Sequence, residues 1–276
     1  MTTNEGMTLV LGGTGKTGRR VVQRLAERGI PIRIGSRSGE PAFDWTDPST
    51  WAPALRDVRS AYVTFYPDLA MPGASEQVGE VARLAVKKGV RRLVLLSGRG
   101  EEEALLGEKA VQESGAEWTI VRSTWFSQNF SEGVFLDQVR SGEVALPAGS
   151  VKEPFVDVED IADVAVAALT EDRHRGEVYE LTGPRLLTFA EATEEIATAA
   201  ARQIRYVQIS VEQYASLLAQ LEVPADLASL VTYLFTEVLD GRNARLTDGV
   251  ERALGRRPRD FRDYARAAAA TGVWRS

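Results

Sequence analysis

Thr8-Leu9-Val10-Leu11-Gly12-Gly13-Thr14-Gly15-Lys16-Thr17-Gly18 is the stretch whose reading decides the fold. Thr8 to Leu11 is a short apolar run that ends in glycines. Lys16 to Arg28 then takes helical spacing, with Val21, Val22 and Leu25 on one face and Gly29 as terminator. The pattern predicts a strand, a tight turn and a helix. Glycines at 12, 15 and 18 let a backbone approach a pyrophosphate, and the helix start offers N–H donors and the positive end of its dipole. The spacing differs from the G-x-G-x-x-G fingerprint, so the inference rests on position, after the first strand and opening the first helix. Gly12, Thr14, Gly15, Lys16, Thr17 and Gly18 are therefore candidate dinucleotide-binding residues, against the alternative of a tight turn with no ligand.

Working outward, further strands are predicted at Pro31 to Ser36, Ala61 to Thr64, Arg92 to Leu96 and Trp118 to Val121. Helices are predicted at Ser75 to Lys88, Glu101 to Ser114 and Ile161 to Leu169. Strands alternating with helices imply a mostly parallel sheet covered on both faces, a Rossmann-type doubly wound α/β fold. After Gly183 the pattern turns helical, with one short β-like segment at Arg205 to Ile209 and helical spacing at Tyr214, Leu217, Leu218 and Leu221. This predicts a dinucleotide-binding domain over 1–182 and a smaller helix-rich C-terminal substrate lobe over 183–276, with 130–153 as a stretch that can add to the lobe. Such a lobe is expected over the C-terminal edge of the sheet, where open α/β folds bind ligands.

The end of the second strand indicates which dinucleotide to expect. An acidic residue about 20 positions beyond the glycine turn would accept from a ribose 2′-hydroxyl. Here the residues are Ser36-Arg37-Ser38. Arg37 can make charge-assisted bonds to a 2′-phosphate, with Ser36 and Ser38 as further donors, which points to NADPH.

Composition removes other chemistries. The 276 residues are 44% hydrophobic and 26% charged, the range of a globular protein, and contain no cysteine, so disulfides, thiolate nucleophiles and thiolate metal sites are excluded. The single histidine, His174, lies in the polar run Glu171-Asp172-Arg173-His174-Arg175-Gly176, which predicts an exposed turn and neither a catalytic nor a metal-bound imidazole. No metal is expected. A net charge of −6 argues against a nucleic-acid partner, although Arg256, Arg257 and Arg259 form a possible local basic patch. Met1 to Gly6 is a short polar lead, and no run approaches the roughly 18 apolar residues of a membrane span. The chain reads as cytoplasmic, with a small-molecule substrate, and no pattern marks an oligomeric state.

Across nearly its whole length the sequence resembles the NmrA-like, atypical short-chain dehydrogenase/reductase family. Carrying the likeness are Gly12 to Gly18, Phe43-Asp44-Trp45, Leu93 to Ser97, Thr119 to Phe130, Pro154 to Ala162 and Leu181-Thr182-Gly183-Pro184. Asp44-Trp45, Ser123-Thr124-Trp125-Phe126 and Leu254-Gly255-Arg256-Arg257-Pro258 are similar to the festuclavine and agroclavine dehydrogenase branch, whose members reduce an iminium carbon with NADPH. The resemblance implies that Asp44 and Trp45 lie near the adenine, that Phe65 and Tyr66 lie beside the cofactor, and that Ser123 to Phe126 run past the nicotinamide. Trp125, Phe126 and Asn129 then become candidate substrate-pocket residues. Trp45 and Trp125 have a plainer alternative as core aromatics.

The family's Tyr-x-x-x-Lys pair is where the chain departs. The matching stretch is Leu105-Leu106-Gly107-Glu108-Lys109, without the tyrosine. Lys109 either holds the nicotinamide ribose or is a surface lysine. Ser97 matches the superfamily serine and either polarises a substrate or serves as a turn residue. Tyr66 is a further hydroxyl that could deliver a proton. An iminium carbon accepts hydride without a proton donor, and a quinone or enone could draw its proton from water or a nearby hydroxyl. The expected activity is NADPH-dependent reduction of an activated C=N or conjugated carbonyl. A non-catalytic NADP(H)-binding redox sensor is the alternative.

Overall fold

A computed structural model describes residues 6–275, so Met1 to Glu5 of the polar lead lie outside the described residues. The chain divides into two compact units. The first runs through Ser123 and takes in Glu159–Leu181 and Gly249–Arg256; the second comprises Thr124–Val158, Thr182–Asp248 and the chain from Arg257. The division is thus not one cut at 182, and 130–153 falls within the second unit.

The first unit is built on a six-stranded sheet. Its strands are β1 (Met7–Leu11), β2 (Ile32–Gly35), β3 (Val58–Val63), β4 (Arg92–Gly98), β5 (Glu117–Ser123) and β6 (Glu177–Leu181). They lie in the order β2-β1-β3-β4-β5-β6, every pair parallel. Central strands are continuous apolar runs because helices cover both of their faces: Leu9, Val10, Leu11, Val94 and Leu95 are fully buried. The chain leaves β1 toward β2 on one side and returns with β3 on the other, so the order reverses between β1 and β3. In parallel sheets ligands bind outside the C-terminal strand ends at such a reversal.

Its helices of more than one turn are α1 (Lys16–Glu27), α2 (Ala74–Lys87), α3 (Glu102–Gln112), α4 (Val158–Thr170) and α5 (Gly249–Leu254). Arg20 and Arg24 of α1 pair with Glu159 and Asp163 of α4. On α2, a Cβ added at Gly79 would sit 3.0 Å from Ala110 Cβ of α3. Helices paired in this way form the two layers of a doubly wound sheet.

Three sequence expectations change. The sixth strand, Glu177–Leu181, was not foreseen; its Tyr179 and Leu181 are buried while Glu177, Val178 and Glu180 are half-buried, so no apolar run marked it. His174 is not exposed. It is fully buried, its Nδ1 lies 2.8 Å from the Tyr179 hydroxyl, and burial pushes its pKa down. Its charged neighbours hid one inward-facing side chain. Arg256 does not contribute to a free basic patch: its guanidinium lies 2.7 Å from Asp160 and 2.6 Å from Asp163, both on α4. These contacts, with Gly249 packed against the Glu180 backbone, tie Gly249–Arg256 to the first unit.

Rings fill the core of the second unit. Phe130, Phe135, Phe155, Phe189, Phe235 and Phe261 are buried together with Tyr214, Tyr264 and Trp274. Two helix starts there are explicitly capped: Thr188 with Glu191, and Ser210 with Gln213, form reciprocal capping boxes. The β-like segment appears as Arg205–Gln208, paired in parallel with Glu143–Leu146, a partner the sequence reading missed.

Candidate functional site

At the end of β1 the backbone turns on Gly12, whose φ of +62° favours glycine. Gly12 N donates to Gly35 O at 3.0 Å and Gly15 N to Gly12 O at 2.8 Å, which closes the turn. A Cβ at Gly12 would lie 2.4 Å from Thr64 Oγ1, and one at Gly18 would lie 2.1 Å from Gly12 O. Those two glycines therefore let β3 and α1 close on the turn. Gly15 differs: the only atom near its missing Cβ is Gly12 O at 3.2 Å, and the residue is exposed. It is also the N-cap of α1, with no side-chain cap. Gly15 thus brings no side chain of its own to the start of α1, and a helix start of this kind can take an anion such as a pyrophosphate. Thr14 is exposed beside it, Lys16 is half-buried and Thr17 is buried.

Thr64, just past β3, is a residue that sequence reasoning missed. Its hydroxyl donates to Leu11 O at 3.2 Å, and its carbonyl accepts from Trp45 Nε1 at 3.2 Å. Trp45 is half-buried and packs on Phe43 and Phe65, with ring centroids 5.0 and 4.8 Å away. The aromatic group is thereby tied to the glycine turn. Asp44 accepts from Thr46 N at 2.9 Å and Thr46 Oγ1 at 2.8 Å, and those bonds, with the Arg37 charge nearby, hold its pKa below the usual carboxylate range. Arg37 and Ser38 are exposed and Ser36 half-buried, with the two serine hydroxyls 3.4 Å apart. Tyr66 projects outward at 76% exposure.

Along the sheet, at the ends of β4 and β5, the side chains are engaged with one another. Ser97 Oγ donates to Glu108 Oε1 at 2.6 Å, and both residues are buried. Arg122 forks onto the same carboxylate, Nε to Oε1 at 2.7 Å and an η nitrogen to Oε2 at 2.6 Å. It also reaches Glu180 at 3.4 Å, while Arg99 Nε donates to Glu180 at 3.2 Å. The Glu108 contact, against the cost of burial, raises the Arg122 pKa. Ser123 is buried, and its hydroxyl donates to Ser97 O at 3.4 Å.

Helix α3 buries Ala104, Gly107, Glu108 and Val111, one stripe at helical spacing. Lys109 falls outside that stripe. Its side chain is 68% exposed and its Nζ lies 3.8 Å from Glu113. The charged residue of this stretch that faces the sheet is Glu108, and a carboxylate on the apolar stripe of a helix was the signal that could have marked it. Leu105, in the tyrosine position, is 45% exposed.

Trp125, Phe126 and Asn129 belong to the second unit. Trp125 is half-buried, with the rings of Phe135, Phe189 and Phe235 at 6.0, 5.3 and 5.0 Å. Phe126 bridges in parallel to Val156, and Asn129 opens the single turn Asn129–Glu132.

Comparison with known proteins assigns the chain to a family. The profile of the NAD(P)H-binding family matches residues 12–172, from the glycine turn to the end of α4 and the turn after it. The chain belongs to that family. Among other NAD(P)H-binding proteins, it is similar to the NAD(P)H azoreductase of Xenophilus azovorans, with 33% identity covering 96% of this chain and 98% of that one. It is also similar to the agroclavine dehydrogenase of Claviceps fusiformis, with 31% identity covering 94% and 96%. The structure of the Citrobacter sp. triphenylmethane reductase complexed with NADP(H) shares its fold, with a TM-score of 0.75 at 19% identity over 95% and 99% of the two chains. The agroclavine dehydrogenase and the festuclavine synthase II of Penicillium roqueforti, each 31% identical, bear out the clavine-dehydrogenase resemblance read from the sequence. This NAD(P)H-binding protein is an oxidoreductase, and among the described residues no helix is long and apolar enough to cross a membrane.

Proposed function

We propose that the protein uses NADPH to reduce an activated C=N bond or a conjugated carbonyl, including a quinone, of a small organic molecule. NADPH supplies the hydride; the chain supplies binding, orientation and electrostatics. In this reading Gly12, Thr14, Gly15, Lys16, Thr17 and Gly18 hold the pyrophosphate. Arg37, Ser36 and Ser38 take the 2′-phosphate, Asp44, Trp45 and Phe65 flank the adenine side, and Ser97 and Ser123 form the floor at the ends of β4 and β5.

The observation that carries the choice of substrate class is the state of the ketone-reducing apparatus. Leu105 stands where a tyrosine would protonate an alkoxide, and the Ser97 proton is already donated to Glu108. An unactivated ketone needs such a donor in the transition state, whereas an iminium carbon collapses to a neutral amine without one. The names of the relatives, an azoreductase and a triphenylmethane reductase among them, support electron-poor conjugated acceptors as the substrate class.

The test is NADPH oxidation at 340 nm with cyclic iminium salts, quinones, cyclic enones and simple ketones. Turnover is expected with the first three classes and at least about 10²-fold slower with simple ketones. Preference for the simple ketones would overturn the reading.

A further inference from the structure

Leu11 ends β1 and Gly12 begins the turn, so the peptide unit between them sets the direction in which the turn leaves the sheet. A trans peptide is flat and points its C=O and its N–H to opposite sides. Both groups are held here, each from a different neighbouring strand. Gly12 N donates at 3.0 Å to the carbonyl of Gly35, the last residue of β2. Leu11 O accepts at 3.2 Å from the hydroxyl of Thr64, the first residue past β3. The ladder between β1 and β3 closes with Val10 opposite Tyr62, so the Thr64 side chain carries the pairing beyond the point where the backbone stops.

Glycine takes positive and negative φ with almost equal ease, so Gly12 alone leaves the turn undecided. Its φ is +62°, and the Thr64 hydroxyl lies on one side of its Cα, where a Cβ would come within 2.4 Å of Oγ1. The preceding peptide cannot swing without breaking a bond to β2 or to Thr64. Gly12 therefore keeps the conformation that brings its carbonyl to Gly15 N at 2.8 Å. Thr64 is itself held: its carbonyl accepts from Trp45 Nε1 at 3.2 Å, and the Trp45 ring packs on Phe43 and Phe65. A loop set in advance binds its ligand more tightly, because the cost of ordering it is not charged to the binding step.

We propose that Thr64 is a positioning residue for NADPH: its hydroxyl locks the Leu11–Gly12 peptide and so presets the turn that receives the pyrophosphate. The proposal rests on the reading above that the glycine turn is the phosphate site. Thr64 acts through the peptide rather than on the cofactor. Thr64→Val keeps the shape of the side chain and removes the bond to Leu11 O, and the apparent affinity then falls with the fraction of molecules whose turn is set.

The experiment titrates the full chain and its Thr64→Val and Thr64→Ser variants with NADPH and with adenosine 2′-monophosphate, a fragment that has no pyrophosphate. If the turn is set in about one molecule in ten without the hydroxyl bond, the Kd for NADPH rises about 10-fold in Thr64→Val. Thr64→Ser keeps the hydroxyl and should stay within about twofold of the wild type, and the fragment should bind all three proteins alike. In the cofactor-free wild type the Gly12 amide should exchange with solvent at least about 10²-fold more slowly than an open amide, a readout that needs no variant to fold. NADPH bound by Thr64→Val as by the wild type, a serine variant as weak as the valine one, an equal loss for the fragment, or rapid exchange at Gly12 overturns the positioning role alone. Normal NADPH affinity in a folded Gly15→Val protein overturns the turn as the phosphate site, and the positioning role with it.

Discussion

The glycine turn and the ends of β4 and β5 lie on the same edge of one sheet, yet they are built in opposite ways. At Gly12, Gly15 and Gly18 what matters is the absence of side chains, which lets β3 and α1 close on the turn and leaves the N-cap of α1 bare. At Ser97, Glu108 and Arg122 the side chains are everything, and they are spent on each other. The first region is poised for a ligand, while the second acts as a clamp that seats α3 on the sheet. Conserving the spacing of three glycines is enough to build the first. Building the second requires that a particular face of α3 be turned inward.

The comparison is broken most severely by removing the centre of the clamp. Glu108→Ala takes the shared carboxylate from the Ser97 hydroxyl and leaves the Arg122 guanidinium only its 3.4 Å contact with Glu180, and since breaking a fully buried pair costs about 3–5 kcal/mol, a loss of about 2–4 kcal/mol is expected here. Urea denaturation should show that loss, with Glu108→Gln destabilised less because it keeps an acceptor for Ser97. A loss of under about 1 kcal/mol would mean that the pair belongs to a wet surface, where ion pairs are worth little.

The glycine turn should respond in binding rather than in stability. A side chain at Gly15 meets only Gly12 O and then open space, so Gly15→Val should fold while its branches occupy the place of the pyrophosphate. Loss of one or two charge-assisted bonds predicts NADPH affinity about 100-fold weaker, by fluorescence titration, with the melting temperature nearly unchanged. Gly18→Val is the control: its Cβ would fall 2.1 Å from Gly12 O, so it should damage the fold itself. Normal NADPH affinity in a folded Gly15→Val protein would locate the phosphates elsewhere.

A narrower cut tests the end of β2. Arg37 is exposed, with Ser36 and Ser38 on either side, and the contact to a 2′-phosphate proposed for it would be worth about 1.5–3 kcal/mol. Arg37→Ala should therefore weaken NADPH binding about 10- to 100-fold and leave NADH binding as it was. An equal loss for both cofactors would assign Arg37 to the pyrophosphate or to folding.

The two regions also differ in how far the sequence revealed them. The turn could be read because glycine spacing after an apolar run is a local signal, and the same holds for the apolar strands at β1, β4 and β5. Thr64 went unread because its role depends on β3 lying beside β1, a neighbour distant in the chain. His174 and β6 were obscured by surrounding charge, although each has one inward-facing side in the fold. Glu108 and Lys109 show the limit most clearly. The family motif drew attention to the lysine, but the helix turns by about 100° per residue, so neighbouring charges meet entirely different surroundings.

That contrast yields the smallest expected effect. Lys109 stands next to the residue whose loss should cost most, yet its side chain is 68% exposed and it pairs with Glu113, four residues on, at 3.8 Å. An exposed pair at this spacing is worth about 0.3–0.5 kcal/mol, and less in salt. Lys109→Met should thus change stability by no more than that and leave the KM for NADPH within about twofold, since a group that contributes only uniform binding shows itself in KM. If instead the KM rises about tenfold with stability intact, Lys109 leaves Glu113 and reaches the ribose when the cofactor binds. The motif position would then have named a true contact, and the surface pair would be its resting place.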